Sequence, residues 1–224
     1  RHLMNRDATD LAGVRHLIYG MLGSTNAEAL TLARAGERGP LWVSAASQNA
    51  GRGRRGNAWI SPPGNLYATL LLTEPCEPSA APQLSFVAAL ALHDSIVDCA
   101  GMLGPALFVK WPNDLLLGGR KLAGILVEGE GTPAFTVAIG IGVNCASHPA
   151  ETAYPATDFA TAGAMVAPGR LLAALSATMQ TRLAEWARGD GFRATRAAWL
   201  KRAVGLGAPI KVRLPEREIS GRFD

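Results

Sequence analysis

The residues best suited to chemistry in this chain lie in one short run, residues 51–59, where three arginines are set among three glycines and a tryptophan follows. Glycine lets the backbone approach a ligand closely, and arginine presents a planar donor fork that matches carboxylate and phosphate oxygens. Residues 38–73 contain four arginines and no Asp or Glu, and the net charge of the whole chain is +4. We therefore expect a local anion-binding loop rather than a basic surface for nucleic acid.

The same residues invite four other interpretations of this loop. The three glycines match the spacing of the dinucleotide fingerprint, but that fingerprint opens a helix, whereas Pro62-Pro63-Gly64 and a predicted strand follow here. A P-loop is excluded because no Gly-Lys-Ser/Thr closes the run. A solvated basic turn and a nucleic-acid-binding loop remain as alternatives, although Trp59 is the one aromatic residue within the run.

A second group of polar residues begins at Lys110-Trp111-Pro112-Asn113-Asp114 and continues with Arg120-Lys121. Asn113 and Asp114 taken alone are typical of turns, because their side chains bond the local backbone. Lys121 taken alone is typical of an exposed strand lysine. When these residues are considered together with the arginine loop, they indicate a functional site rather than a simple turn and an exposed lysine.

Length and composition describe a globular chain whose 224 residues can bury a substantial core, with one main domain and a small appendage. No run of about 18 apolar residues occurs and the first residues do not follow the order of a secretory signal, so we expect no membrane span and a cytoplasmic location. Cys76, Cys99 and Cys145 are odd in number and form no C-x-x-C pair. We expect them to be reduced, structural thiols.

The elements that position these groups follow from hydrophobic periodicity and from turn residues. Strands are predicted at residues 41–47, 66–73, 108–111, 115–117, 121–128, 135–143, 210–214 and 218–223. Helices are predicted at residues 25–36, 83–100, 168–188 and 192–202, the first from a capping box in which Thr25 caps the first turn and Glu28 bonds back to it. The pattern predicts an α+β fold with a mixed or antiparallel sheet and helices packed on one face.

The order and separation of several motifs closely resemble those of the biotin protein ligases. The motifs are Arg52-Gly53-Arg54-Arg55-Gly56 with Trp59, then Lys110-Trp111-Pro112-Asn113-Asp114, then Arg120-Lys121-Leu122-Ala123-Gly124-Ile125-Leu126-Val127-Glu128. Ser24-Thr25-Asn26 upstream and Gly140-Ile141-Gly142-Val143-Asn144 downstream are also similar to that family. The resemblance spans residues 17–214, and it is the ordered set rather than any single motif that makes it specific.

This resemblance implies a catalytic domain of the biotin/lipoyl ligase type at residues 1–204, followed by the incomplete beginning of a small C-terminal β-barrel at residues 205–224. The implied enzyme joins biotin to ATP, with Mg²⁺, to form biotinyl-AMP and pyrophosphate, and then transfers biotin to a lysine of a biotin carboxyl carrier protein. No helix-turn-helix precedes Ser24, so a monofunctional ligase without a DNA-binding domain or nucleic-acid partner is expected. The oligomeric state stays open, a homodimer being one of the states allowed.

The resemblance also implies the site residues. Biotin would contact Ser24, Thr25, Asn26, Gln48, Arg52, Gly53, Arg54 and Lys121. The nucleotide would contact Arg52, Arg54, Trp59, Asn113, Lys121 and Asn144, with Mg²⁺ carried by ATP and not held by the protein alone. The catalytic residues would be Lys121, which bridges carboxylate and phosphate, Arg54, which closes over the anhydride, and Asp114, which either helps to ionise the carrier lysine or supports the loop.

Simple electrostatics agrees with these roles, because biotin and ATP are both anions. Two unit charges about 4 Å apart repel by roughly 4 kcal/mol at an effective dielectric constant of about 20, so several fixed cations are needed. Asn57 departs from the family, in which many members have a basic residue, and makes the order of the loop around the nucleotide an open point. A lipoyl- or octanoyl-carrier ligase and a nucleic-acid-binding module are the competing functions.

Overall fold

The computed structural model describes residues 3–131, 134–150, 152, 154–213 and 216–224, and side chains are described for these except residues 3–9 and 213. The helices in this part are α1 (Thr25–Arg34), α2 (Leu84–Cys99), α3 (Pro168–Trp186) and α4 (Phe192–Leu200). The strands are β1 (Leu3–Leu11), β2 (Val14–Leu22), β3 (Leu41–Gln48), β4 (Leu66–Thr73), β5 (Leu107–Lys110), β6 (Asp114–Leu117), β7 (Arg120–Glu130), β8 (Thr136–Val143), β9 (Pro209–Arg213) and β10 (Glu218–Arg222).

Eight of these strands form one sheet in the order β1-β2-β3-β4-β8-β7-β6-β5. Strands β2 and β3 are parallel and the other neighbours are antiparallel, which confirms the predicted mixed sheet. Gly118 and Gly119 connect β6 to β7 with φ values of 57° and 77°. A two-residue hairpin turn with both φ values positive favours glycine, as the sequence predicted.

The helices pack on both faces of the sheet, so the expectation of a single helical face is wrong for α1. Side chains alternate along β3: Leu41 and Val43 join the small core under α1, while Trp42 faces the opposite side. There the indole Nε1 of Trp42 donates to Ser176 Oγ of α3 at 2.9 Å. Because β2 and β3 are parallel, their connection must cross one face, and α1 is the helix of that crossover.

Helix α2 forms the centre of the larger core and is apolar around most of its circumference. Residues Leu84, Leu90, Leu92 and Ile96 are fully buried there. By length and composition, Pro78–Cys99 could cross a membrane, but 61% of its most apolar window is buried inside the protein. The apolar character of this helix is thus explained by its packing between the sheet and the helices α3 and α4.

The N-terminal part of the chain differs most from the prediction. Strands β1 and β2 form a hairpin that the sequence analysis did not predict, with Ala12 and Gly13 at positive φ in its turn. Helix α1 is capped by Ser24, whose Oγ accepts from the Ala27 amide, rather than by Thr25. The carboxylate of Glu28 accepts from Tyr19 Oη at 3.1 Å.

A separate two-stranded sheet, β9 and β10, follows α4 near the C-terminus. It matches the two short strands that the sequence predicted, although Leu214, the predicted end of the first, lies outside the described residues. The ring of Phe223 packs edge-on against Trp199 of α4, with centroids 6.2 Å apart. This contact holds the small sheet beside the main domain.

Candidate active site

A cavity of about 1280 Å³ opens over the region where the arginine loop, β7 and β8 meet. It is bordered by the loop after β3, the start of α1, the β5 to β7 segment, β8 and the C-terminal hairpin. The structure brings together all the residues that the sequence analysis assigned to the site. These are Ser24, Thr25, Asn26, Gln48, Arg52, Gly53, Arg54, Trp59, Asn113, Asp114, Lys121 and Asn144.

The arginine loop folds back on itself as a short closed turn. Arg52 and Ala58 form an isolated antiparallel bridge, and the Gly53 amide donates to the Asn57 carbonyl at 2.7 Å. Arg55 has a φ of 57°, in the left-handed region that few non-glycine residues adopt. The backbone of Asn57, the residue that departs from the family, therefore helps to close the turn. Arg54 at its tip is exposed and reaches Asn113 Oδ1 at 3.5 Å.

Trp59 lies flat against the sheet at a place where two strands carry glycine. Gly124 of β7 and Gly142 of β8 are direct cross-strand partners. A Cβ added to Gly142 would lie 2.5 Å from the indole Nε1, and one added to Gly124 would lie 3.0 Å from the ring. These glycines are therefore required by the ring that covers them. The buried indole N–H has no hydrogen-bond partner among the described residues, which leaves a donor for a ligand.

Polar groups at the start of α1 form the opposite wall of the cavity. Gln48 Oε1 accepts from the Thr25 amide at 2.8 Å and lies 3.2 Å from Thr25 Oγ1. Asn26 is 3% exposed, and its Nδ2 donates to Leu126 O and to Glu128 Oε2, while its Oδ1 accepts from a threonine hydroxyl. Thr25 and Gln48 are thus held as a pair, and the Asn26 amide is already satisfied by the protein.

Glu128, the last residue of the Arg120–Glu128 motif, is a functional candidate that the sequence alone did not reveal. Its Oε2 accepts from Asn26 Nδ2 at 2.8 Å and from Arg52 Nη2 at 3.0 Å. One carboxylate oxygen therefore joins the start of α1 to the arginine loop. One sequence signal could have identified Glu128. It lies on β7 two residues after Leu126, which borders the cavity, and alternate residues of a strand share a face.

Lys121 and Asp114 form an ion pair on neighbouring strands, with Nζ 2.8 Å from Oδ1. The ammonium group also lies 5.4 Å from the Trp59 ring centroid. Asn113 is fixed by a bond from its Nδ2 to Ile125 O at 2.7 Å, which leaves Oδ1 towards Arg54. These contacts place a cation, a carboxylate and an amide at one edge of the cavity.

Asn144 follows β8 and is 3% exposed. Its Nδ2 donates to Thr157 O at 3.0 Å. The segment around Thr157 also pairs with the start of β7, since the Thr157 amide donates to Lys121 O at 2.9 Å. Asn144 therefore fixes a wall of the cavity through a structural bond.

The cavity has a strongly positive lining among the described residues. Its basic residues are Arg52, Arg54, Arg55, Lys110, Lys121 and Lys211, and its one acidic residue is Asp114. Burial raises the pKa of Tyr67, which also borders the cavity, to about 12, so its phenol stays neutral at physiological pH. Such a lining suits a ligand with several negative charges.

Comparison with known proteins decides between the chemistries that this geometry allows. A sequence model described as the biotin/lipoate A/B protein ligase family matches residues 24–144. That segment is more than half of the chain and contains most of the site described above. The chain belongs to this family.

Individual members of the biotin/lipoate ligase family are similar over nearly the whole chain. The biotin–[acetyl-CoA-carboxylase] ligase of Paracoccus denitrificans is 46% identical over 215 residues, which cover 90% of this chain and 86% of that protein. The Leishmania major biotin protein ligase, solved with biotinyl-5-AMP, has a TM-score of 0.75 at 27% identity and covers 89% of this chain and 85% of its own. The Aquifex aeolicus biotin protein ligase, solved with biotin and ATP, has the same fold, with a TM-score of 0.79 at 24% identity over 92% of this chain and 85% of its own.

Proposed function

We propose that this protein is a biotin protein ligase. It activates biotin with ATP to give biotinyl-5′-AMP and pyrophosphate, and it then transfers biotin to a lysine of a biotin carboxyl carrier protein. The observation that carries the proposal is the cavity in which the arginine loop, Lys121 and Asn113 meet, because six basic residues and one acidic residue suit two anionic substrates. The similarity to a biotin ligase at 46% identity selects biotin as the acid.

The first step needs the biotin carboxylate and the α-phosphate to approach one another. A carboxylate oxygen attacks the α-phosphorus, a new phosphorus–oxygen bond forms, and the bond to the β-phosphate breaks with its electron pair leaving on pyrophosphate. Arg52 and Arg54 would neutralise the two anions, and Lys121 would bridge their oxygens as charge develops. Fixed cations of this kind lower the barrier because they need little reorganisation.

The bicyclic ring of biotin carries a neutral urea that needs paired donors and acceptors. Ser24, Thr25 and Gln48 provide hydroxyl and amide groups on one wall. Asn26 has its amide bonds to the protein, so we assign it the role of supporting that wall rather than of the strongest urea contact. The unpaired indole N–H of Trp59 provides a further donor close to the ligand.

Mg²⁺ is proposed only as an ion that arrives with ATP. Among the described residues, no group of three or more His, Cys, Asp or Glu side chains could hold a metal. Asp114, the acid that borders the cavity, is paired with Lys121. When bound with the nucleotide, Mg²⁺ would neutralise phosphate charge, and Asn113 and Asn144 are the amides proposed beside it.

The second step requires a carrier lysine to reach the anhydride, where its neutral amine attacks the biotinyl carbonyl, an amide bond forms, and AMP leaves with the electron pair of the broken bond. Asp114 is proposed as the carboxylate beside that lysine, and its ion pair with Lys121 gives it a second role in orienting the catalytic ammonium group. The partner is a biotin carboxyl carrier protein of a biotin-dependent carboxylase. We also propose that the protein is cytoplasmic and has no nucleic-acid partner, and that a homodimer is one of its allowed states.

The decisive experiment is exchange of labelled pyrophosphate into ATP by the purified protein. We expect exchange that depends on biotin, and its absence with biotin present would overturn the proposal. Lipoate in place of biotin tests the other branch of the family, and exchange that lipoate supports better would assign a lipoyl ligase. Addition of an apo-carrier domain should then give a covalently biotinylated product, measured by its mass.

A further inference from the structure

Lys110 borders the cavity but has no role in the scheme above. It is the last residue of β5, and its Nζ lies 4.1 Å from the ring centroid of Tyr154. In the described part of the chain, no carboxylate lies within ion-pair distance of this ammonium group. Among the cavity lysines it is the exception, since Lys121 pairs with Asp114 and Lys211 pairs with Glu218.

The position of Lys110 in the sheet gives its relation to the reacting groups. Lys110 and Asp114 are directly opposed residues in the antiparallel pair of β5 and β6. Side chains of opposed residues stand on the same face, about 5 Å apart at Cβ. Asp114 nevertheless directs its carboxylate to Lys121, on the far side. Lys110 is therefore a second cation beside the catalytic pair, one strand further from the arginine loop.

Tyr154 is held in place by the strand that carries Lys121. The Lys121 amide donates to Pro155 O at 2.8 Å, and the Thr157 amide donates back to Lys121 O at 2.9 Å. Tyr154 is 60% exposed, yet the short parallel bridge between Lys121 and Ala156 keeps the segment beside Lys110. A cation over an exposed aromatic ring is held only weakly, so the Lys110 ammonium group can leave the ring for a phosphate.

We propose that Lys110 binds the β- and γ-phosphates of ATP and the pyrophosphate that leaves, a role that rests on the proposed ligase function. The electron pair of the broken α–β bond ends on pyrophosphate, so negative charge grows there during the reaction. Arg52, Arg54 and Lys121 serve the α-phosphate and the carboxylate. Lys110 is the neighbouring cation without a carboxylate partner, and the ring of Tyr154 holds it in the absence of a nucleotide.

The test uses inorganic pyrophosphate as the probe, in the reverse reaction that forms ATP from purified biotinyl-AMP. In Lys110→Ala we expect the half-saturating pyrophosphate concentration to rise at least about tenfold, the effect of losing one charge-assisted contact. Transfer of biotin from purified biotinyl-AMP to the carrier should stay within about twofold of wild type, because pyrophosphate takes no part in it. Lys110→Arg should recover most of the pyrophosphate affinity.

Lys201→Ala is the matched control, since Lys201 is an exposed lysine that does not border the cavity. An unchanged pyrophosphate dependence in Lys110→Ala, or an equal loss in the transfer step, would overturn the inference. Failure of the ligase proposal is seen separately, because wild-type protein would then show no biotin-dependent exchange.

Discussion

Lys121 is held before any substrate arrives, with its Nζ 2.8 Å from Asp114 Oδ1 and 5.4 Å from the Trp59 ring. Two neighbours, one on β6 and one in the arginine loop, thus fix a flexible side chain. A cation positioned in this way can stabilise the charge of a transition state without the reorganisation that water would require. At the scale of single residues, the proposed chemistry therefore depends as much on what orients Lys121 as on its charge.

We expect Lys121→Ala to lower the rate of biotinyl-AMP formation by about a hundredfold, the usual effect of losing one preorganised electrostatic group. The affinity for biotin should fall much less, because the urea contacts lie on another wall. Rapid-quench measurement of the adenylate and calorimetry with biotin separate the two effects. Asp114→Asn should add little in the Lys121→Ala background if Asp114 acts mainly by orienting the lysine. A pure loss of biotin affinity would contradict this role.

Glu128 offers a test of the bond that joins α1 to the arginine loop. Glu128→Ala leaves a donor of the buried Asn26 amide without its nearer acceptor, and we expect the free energy of unfolding to fall by about 1–3 kcal/mol. Glu128→Gln keeps an oxygen acceptor and should restore most of that stability. Urea unfolding of both variants provides the comparison. Equal losses in the two would mean that Asn26 is not the residue that Glu128 supports.

At the scale of elements, β8 shows how one strand carries two separate constraints. Gly140 and Gly142 have no positive φ, so their small size rather than their backbone freedom matters. A Cβ at Gly140 would lie 2.2 Å from the buried Asn26 Oδ1, whereas a Cβ at Gly142 would meet the Trp59 ring. Asn26 makes hydrogen bonds through both Nδ2 and Oδ1, so it cannot move easily. Trp59 borders the cavity and has room to move.

We expect Gly140→Ala and Gly142→Ala to fail in different ways. Overpacking against Asn26 should lower the free energy of unfolding of Gly140→Ala by about 1–3 kcal/mol. In Gly142→Ala the indole can move outwards, so stability should change by less while the affinity for biotin and ATP falls. Thermal unfolding and calorimetric titration, applied to both variants, measure the two effects. The same ranking of the variants in both measurements would refute the distinction.

Particular elements show how far the sequence could predict this structure. The hairpin of β6 and β7 was predictable because Gly118-Gly119 is a local signal, and the resemblance identified the residues that meet at the cavity. The β1 and β2 hairpin was missed because Ala12 adopts a positive φ in its turn, and an alanine in the sequence does not predict that conformation. The occupied amide of Asn26 and the role of Glu128 could not be read from the chain, since both depend on contacts about a hundred residues apart in sequence.

At the scale of the whole molecule, Asp94 connects the helices behind the sheet. It lies on α2, and both Arg182 of α3 and Arg202, just after α4, direct guanidinium groups to its carboxylate, the latter at 3.2 Å. Burial acts to raise the pKa of Asp94, but the neighbouring His93, the hydrogen bonds from Arg182 and the charges of Arg182 and Arg202 outweigh it and lower the pKa. The helical layer is therefore held by an ionised carboxylate.

A group with a lowered folded-state pKa stabilises the protein above its unfolded pKa, about 4 for Asp, and loses that contribution as the pH falls through the folded value. We therefore expect Asp94→Asn to lower the free energy of unfolding by about 1–3 kcal/mol at pH 7 and pH 5, with the difference from wild type shrinking below about pH 4. Urea unfolding at pH 7, 5 and 3.5 measures it. Asp98→Asn, on the exposed side of the same helix, should change little at any pH. A difference for Asp94→Asn that stays constant down to pH 3.5 would show that its charge does not hold the helices together.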